Sequence, residues 1–379
     1  ISRFNVALVH EWLTSYAGSE KVLEAVCELF PQAPIHSVIH NPAAMEGTGL
    51  AGREVITSFL QRMPLSRRKW NLYLPLMPLA IEQFDLNAYD LVLSCNHAVA
   101  KGVLTRADQL HISYHCTPIR YAWDLYQPYL QQSGLHRKLR GWLARWFLHR
   151  IRQWDVNAAN RVDVYVCLSH YVAQRIWKTY RRKSFVIYPP VDVDRFRADQ
   201  KREPFYLTVS RMTPYKKMDV IAAAFTELDL PLVIIGDGPE RKKVERAAGR
   251  NVTILGKQSD AVVAELLQQC RAFVFAADED FGIAPVEAQA AGAPVIAFGK
   301  GGATETILNG KTGLFFSEQS AAGIVDAVKR FESERDTFDS AACRENAMRF
   351  ARDVFQRDYR KLIEEQWQRF QAGEPLREP

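Results

Sequence analysis

Two carboxylates eight positions apart, Glu279 and Glu287, bracket a glycine and a proline in the stretch EDFGIAPVEAQAAGAPVIAFGKGG, residues 279–302. A carboxylate accepts two hydrogen bonds at once, which suits it to the vicinal diol of a ribose or hexose. The apolar run AFVFAA (272–277) predicts a strand, DEDFGI the loop at its carboxyl end, and Pro285 the first turn of a helix APVEAQAAG. Glu287 is then expected in the first helical turn, beside free backbone N–H groups, and Glu279 at the strand end, so that both carboxylates can reach one cleft. A plainer role for Glu287, complementing its helix dipole, remains open.

A second constellation lies in VSRMTPYKKMDVIAAAF, where Arg211 and Lys216 stand five positions apart in a loop leaving the run FYLTVS (205–210). Such a loop can aim a guanidinium and an ammonium at a diphosphate, whose charge rises as it leaves; a solvated basic turn is the alternative. Glycine turns at GDGPE (236–240) and GKGGATE (299–305) each follow a predicted strand and open a helix, where backbone amides can approach a ligand closely. Gly18, in VHEWLTSYAGSEKVLEAV, repeats that arrangement near the N-terminus. Other patterns lead nowhere. GKT at 310–312 lacks the P-loop's earlier glycine, since Glu305 occupies its place, and no G-x-G-x-x-G follows the first strand. The pairs Asp192 with Asp194 and Asp278 with Asp280 are read as structural rather than as metal clamps.

The elements that must position these residues follow one grammar. FNVALV (4–9), LVLSC (91–95), HISYH (111–115) and VYVCLS (164–169) are short apolar runs without alternation, as in strands buried on both faces of a parallel sheet, with helices as crossovers. After Pro189 and Pro190 the pattern restarts with FYLTVS, PLVIIG (231–236), VTILG (252–256), AFVFAA and PVIAF (294–298). A chain of 379 residues exceeds what one core usually supports, so an α/β protein of two doubly wound domains facing a cleft is expected: 1–188 with the helical tail 355–379, and 189–354. Hydrophobic residues at 47% and charged residues at 24% exclude a disordered or fibrous chain. The net charge of +6 fits an anionic partner. Six scattered cysteines without a C-x-x-C pair support neither a zinc site nor a disulfide framework, and with no secretory or membrane-spanning run they fit the cytoplasm.

Taken in order, ALVHEWL…AGSEKVLE, HCTPIRYAWDLY, YPPVDVDRF, SRMTPYKKMD, IIGDGPERKK and the block from Glu279 resemble the GT4 family of retaining glycosyltransferases of GT-B architecture, and within it the WbaZ-like mannosyltransferases. The resemblance implies that Glu279 contacts donor-sugar hydroxyls, Glu287 the nucleotide ribose, and Arg211 and Lys216 the diphosphate, with backbone amides at Gly18 and at Gly282, Ile283 and Ala284 completing the cradle. It implies that His115 points into the cleft, although related chains often read CHTP where this one reads HCTP. It also implies that the tail helix returns to the N-terminal, acceptor-binding domain, that the C-terminal domain binds the donor, and that transfer retains the anomeric configuration with no tightly bound metal or other cofactor.

The expected donor is GDP-mannose and the expected acceptor a lipid-linked oligosaccharide or polysaccharide precursor. A UDP-sugar such as UDP-glucuronate, and a non-catalytic nucleotide-sugar-binding subunit, are the alternatives. The segment LHRKLRGWLARWFLHRIRQW (135–154) places Leu135, Leu139, Trp142, Leu143, Trp146, Phe147, Ile151 and Trp154 on one helical stripe among arginines, a pattern suited to an anionic membrane surface or to packing on its own domain. A nucleic-acid binder would instead spread basic and aromatic residues along a groove.

Overall fold

The computed structural model describes residues 4–132 and 138–379. The chain divides into two compact units, one running to Pro189 and regaining Phe355–Pro379, the other Pro190–Val354. Unit 1 holds a parallel sheet of β1 (Val6–Leu13), β2 (Ile35–His40), β3 (Val55–Thr57), β4 (Leu91–Asn96), β5 (Leu110–His115), β6 (Val164–Cys167) and β7 (Phe185–Val186), in the order β3-β2-β1-β4-β5-β6-β7. Unit 2 holds β8 (Tyr206–Val209), β9 (Leu232–Ile235), β10 (Val252–Gly256), β11 (Ala272–Phe275), β12 (Val295–Phe298) and β13 (Gly313–Phe316), in the order β10-β9-β8-β11-β12-β13. In each sheet the order reverses once, between β1 and β4 and between β8 and β11. Helices cover both faces, as parallel strands require.

The apolar runs become strands because both of their faces are buried; β4 and β5 are buried at every position. β2, with the sequence IHSVIH, eludes a hydrophobicity reading because His36 and Ser37 are polar yet buried. His36 is accommodated as a neutral ring, edge-on to Phe84 and Tyr89, with burial pulling its pKa down to about 4.

The tail forms the helix Arg352–Gln371. Its Phe355 and Tyr359 rings lie 5.7 and 5.9 Å from Tyr114 of β5, and its Gln356 donates to the carbonyl of Ala25 in the helix Gly18–Leu29. The stripe expected over 135–154 divides. Leu135 and Arg137 lie outside the described residues, as does the side chain of Leu139. In the helix Lys138–Ala159, Trp142, Leu143 and Trp146 are exposed, whereas Ile151 is buried in unit 1's core and Trp154 donates to Glu82. The stripe is therefore not one surface: its second half packs inward because Leu148, Ile151 and Asp155 face the sheet.

Asp155 anchors that helix. Its carboxylate pairs with Lys101 and accepts from Trp123 Nε1 and Tyr180 Oη, with both charged side chains fully buried. Lys101 belongs to the short turn Ala100–Gly102 just after β4, so the pair ties the helix to the carboxyl end of that strand. Removing one partner of such a pair leaves the other charge buried without compensation. Asp155→Ala is expected to lower the unfolding free energy by about 3–5 kcal/mol in urea titrations, and Asp155→Asn by less.

Candidate functional site

In unit 2 the two constellations meet where the strand order reverses. β8 runs out into the loop bearing Arg211 and Lys216, and β11 runs out into the loop bearing Glu279. Ligands of doubly wound sheets bind outside the carboxyl ends of strands at such a point. Lys216 Nζ contacts the Glu279 carboxylate directly, and both side chains are mostly covered. The ammonium also lies 5.3 Å from the Tyr215 ring and 5.9 Å from Phe275. Arg211 is exposed. Gly282, with φ +87°, precedes the helix Ile283–Ala290, which carries Ala284 at its amino end.

Glu287 is placed in the second turn of that helix, not the first, because the helix starts at Ile283. Its carboxylate lies 3.5 Å from Arg195, a residue of the segment between the units' sheets to which sequence reasoning gave no role. Arg195 also approaches Asp260. Of the acidic pairs considered as metal clamps, three members face cations: Asp192 faces Arg352, Asp194 Arg344 and Asp278 Lys300.

The glycine turns hold these loops by backbone contact. A Cβ on Gly236 would fall 1.8 Å from the carbonyl oxygen of Ser210, next to Arg211. One on Gly302 would fall 2.3 Å from Cα of Phe281, and Gly302 N donates to the carbonyl of Glu279. The missing side chains thus make room for the backbone of the loops that carry Arg211 and Glu279.

In unit 1 the structure corrects the placement of His115. Its side chain has no exposure; the ring stacks on Tyr165 at 4.7 Å, and Nδ1 lies 3.2 Å from Asn96 Nδ2. Burial, reinforced by Lys101, holds it neutral. Strand alternation turns it into the layer that Tyr180, Lys101 and Asp155 fill, so its ring is enclosed within unit 1. Cys116, the next residue, is half-buried, and all six cysteines are free thiols. Gly18 opens the helix Gly18–Leu29, where Glu20 accepts from the amide of Ala17.

Sequence reasoning also missed a cluster at the β1–β4 reversal. Glu11 is fully buried, and its Oε1 lies 2.8, 2.7, 3.1 and 3.3 Å from the amides of His97, Ala98, Val99 and Ala100. Its Oε2 lies 2.9 Å from His97 Nδ1. Burial would raise the carboxyl's pKa, but His97 and these amides hold it far below the usual range. Burial would likewise lower His97, yet Glu11 lifts it to about 9. His10, with its ring centroid 5.9 Å from that of His97, is fully buried, and burial depresses it. The three offer donor atoms within 4.8 Å of one another. Glu11 Oε1 is already engaged by four backbone amides and Oε2 faces His97 Nδ1, so the trio reads as an ion pair beside a buried ring. VHEW lies within the ALVHEWL block, yet nothing in the sequence gave Glu11 or His97 a role; only the fold brings them together.

The brace on Glu279 is testable. Gly302→Ala is expected to displace the 279–281 loop and to cost about 1–3 kcal/mol in chemical denaturation, since neither backbone can yield freely.

Comparison with known proteins fits this arrangement. The sequence model for glycosyl transferases group 1 matches residues 192–350, and that for Glycosyltransferase Family 4 matches residues 16–195. The chain is 31% identical over 240 residues to the GDP-mannose-dependent alpha-(1-6)-phosphatidylinositol monomannoside mannosyltransferase of Mycobacterium tuberculosis, a match covering 54% of this chain and 60% of that enzyme. The chain spans about half to three-fifths of the length of such curated relatives, 46% for a glycosyltransferase of Methanocaldococcus jannaschii. Among solved structures, sucrose-phosphate synthase from Thermosynechococcus elongatus gives a TM-score of 0.71 at 17% identity, covering 98% of this chain and 100% of that one. HepE from Anabaena, in complex with UDP, gives 0.66 at 16%, covering 95% and 99%. At these identities the structural likeness speaks to the fold alone, two parallel-sheet α/β domains of the GT-B type. The two family matches between them run from residue 16 to residue 350, from the helix after β1 through β13 and the Lys216–Glu279 constellation, and the chain belongs to the GT4 glycosyltransferases.

Proposed function

We propose that this protein is a retaining hexosyltransferase that moves mannose from GDP-mannose onto a lipid-linked oligosaccharide or polysaccharide precursor. The observation that carries the reading is the contact of Lys216 with Glu279 at the carboxyl ends of β8 and β11, with Arg211 exposed on the same loop. A diphosphate leaving group gains charge as its bond to the sugar breaks, and cations already fixed nearby stabilise it without reorganising. In this reading Lys216 and Arg211 hold the diphosphate, so no tightly bound metal is required. Glu279 receives donor-sugar hydroxyls, Glu287 the ribose diol, and the amides of Gly282, Ile283 and Ala284 a phosphate or sugar oxygen. In unit 1, the amide of Gly18 at its helix N-terminus is a further anion contact. The acceptor hydroxyl attacks on the face that the diphosphate leaves.

The mycobacterial relative supports the choice of GDP-mannose; the UDP held by HepE keeps a UDP-sugar as the alternative donor. A thermal-shift panel of GDP-mannose, UDP-glucose, UDP-glucuronate, GDP and UDP, with and without metal, separates them, because a ligand of the folded state raises its melting temperature. A GDP-selective shift without metal is expected. A UDP-selective shift would replace the donor, and no shift with any nucleotide would overturn the reading. Lys216→Ala and Glu287→Ala are expected to lower turnover by about 100-fold or more with the fold retained. Near-native turnover in both would favour other site residues, and no turnover in the native chain despite binding would favour the non-catalytic subunit.

Membrane docking by unit 1 belongs to the same reading. Among the described residues no helix is long and apolar enough to cross a membrane. Trp142, Leu143 and Trp146 are 63%, 57% and 47% exposed, and Leu72 and Leu79 follow the exposed cations of Arg67, Arg68 and Lys69. Exposed apolar and cationic groups together suit an anionic lipid surface. Co-sedimentation with phosphatidylglycerol vesicles at low salt is expected, and loss of binding in a Trp142→Ser, Leu143→Ser, Trp146→Ser variant. Failure of the native chain to sediment would remove docking from the proposal.

A further inference from the structure

The cluster at the β1–β4 reversal occupies in unit 1 the place that Lys216 and Glu279 occupy in unit 2. The β1–β4 ladder ends at the pair His10↔Cys95, while β1 stays paired with β2 as far as Leu13↔His40. Beyond Cys95 the chain leaves β1, and Glu11 fills the gap by accepting the amides of residues 97–100. One carboxylate thus fixes the backbone that carries His97 and, through Oε2, the His97 ring itself. The ring is 24% exposed, unlike His10 and His115, which are fully buried. With Nδ1 turned onto Glu11, Nε2 is the nitrogen left for a ligand. Trp12 stands edge-on to the ring at 4.8 Å and stacks on Trp70 at 4.2 Å, so an aromatic surface adjoins the imidazole.

We propose that His97 is a substrate-contacting residue of the transfer reaction, donating a hydrogen bond from Nε2–H to a sugar hydroxyl or phosphate oxygen bound in unit 1, and that Glu11 is the residue that positions it through Nδ1. The inference rests on the glycosyltransferase reading above and adds a residue pair to which the sequence motifs gave no role. Two adjacent histidines are driven apart by their surroundings, the inner one neutral and the outer one cationic, which is how a fold assigns a proton to one of two similar groups. The groups facing His97 are Glu11 and His10 from β1, Glu20 from the helix Gly18–Leu29, and Cys116 beyond β5. Of these, Glu11 is the one in direct contact, so the protonation of His97 depends chiefly on it. The catalytically useful form is present below the folded-state value near 9 and is lost as pH rises through it.

Glu11→Gln keeps the amide contacts and removes the charge, so both His97 and the alkaline limb of turnover move to lower pH. The test uses the full chain with nitrogen-15 in its histidines, His97→Asn assigning the ring signals. His97 is expected to stay cationic through neutral pH in the native protein and to titrate near the ordinary value of about 6.5 in Glu11→Gln. Its signals are expected to shift on adding GDP-mannose or methyl α-mannoside; a response to GDP alone assigns the contact to phosphate, and a response to the glycoside alone assigns it to sugar. His97→Asn is expected to lower kcat by about 100-fold while keeping the nucleotide-induced thermal shift. An alkaline limb unmoved in Glu11→Gln, or ring signals unchanged by every ligand, overturns the proposal. If no sugar nucleotide binds or turns over in the native protein, the preceding functional reading fails, and the His97 contact is then decided by the response of its ring signals to the glycoside.

Discussion

A parallel sheet that winds outward in two directions leaves a gap at its centre, and both candidate constellations of this protein answer that gap. At the carboxyl ends of β1 and β4 the backbones separate and amides lose their ladder partners. A buried amide without an acceptor costs free energy comparable to a lost hydrogen bond. Glu11 meets the demand with one oxygen serving four N–H groups, and the same demand makes its burial as an anion tolerable. Its other oxygen lies 2.9 Å from His97 Nδ1, and that carboxylate raises the histidine's pKa. Structure and electrostatics in unit 1 therefore share a single origin.

Unit 2 meets the gap differently. Its loops past β8 and β11 are held by glycine turns pressed against their backbone: Gly236 under Ser210, and Gly301 and Gly302 under Glu279 and Phe281. With the loops fixed from below, Lys216 and Glu279 meet across the reversal, and each partly offsets the other's desolvation. A loop braced in this way can present unlike charges to a ligand without reorganising, which is the condition under which fixed charge is most effective. The buried Lys101–Asp155 pair does comparable work for unit 1, since it fastens the helix Lys138–Ala159 to the turn that follows His97.

The elements were legible where burial is two-sided and apolar, as in β11 and β12. β2 was not, because its His36 and Ser37 are buried through ring contacts and backbone hydrogen bonds that no local pattern announces. The stripe of 135–154 misled for a related reason: helical spacing says which residues share a face, not how much of that face a neighbour covers. His115 misled because a strand's last residue opens onto a site or into the core according to alternation, and the layer around Tyr165 and Tyr180 takes it inward.

By itself the sequence determined the α/β grammar, the restart after Pro190 and the family, because these rest on local runs and on motifs contiguous in the chain, with Glu279 and Glu287 inside one such motif. Only the tertiary structure decided that Glu11 meets His97 across eighty-six positions, that Arg195 lies beside Glu287, and that His97 rather than His115 is the more accessible ring. The physical reason is that proton affinity and exposure depend on groups brought together from distant strands, and a one-dimensional order of residues does not contain those distances.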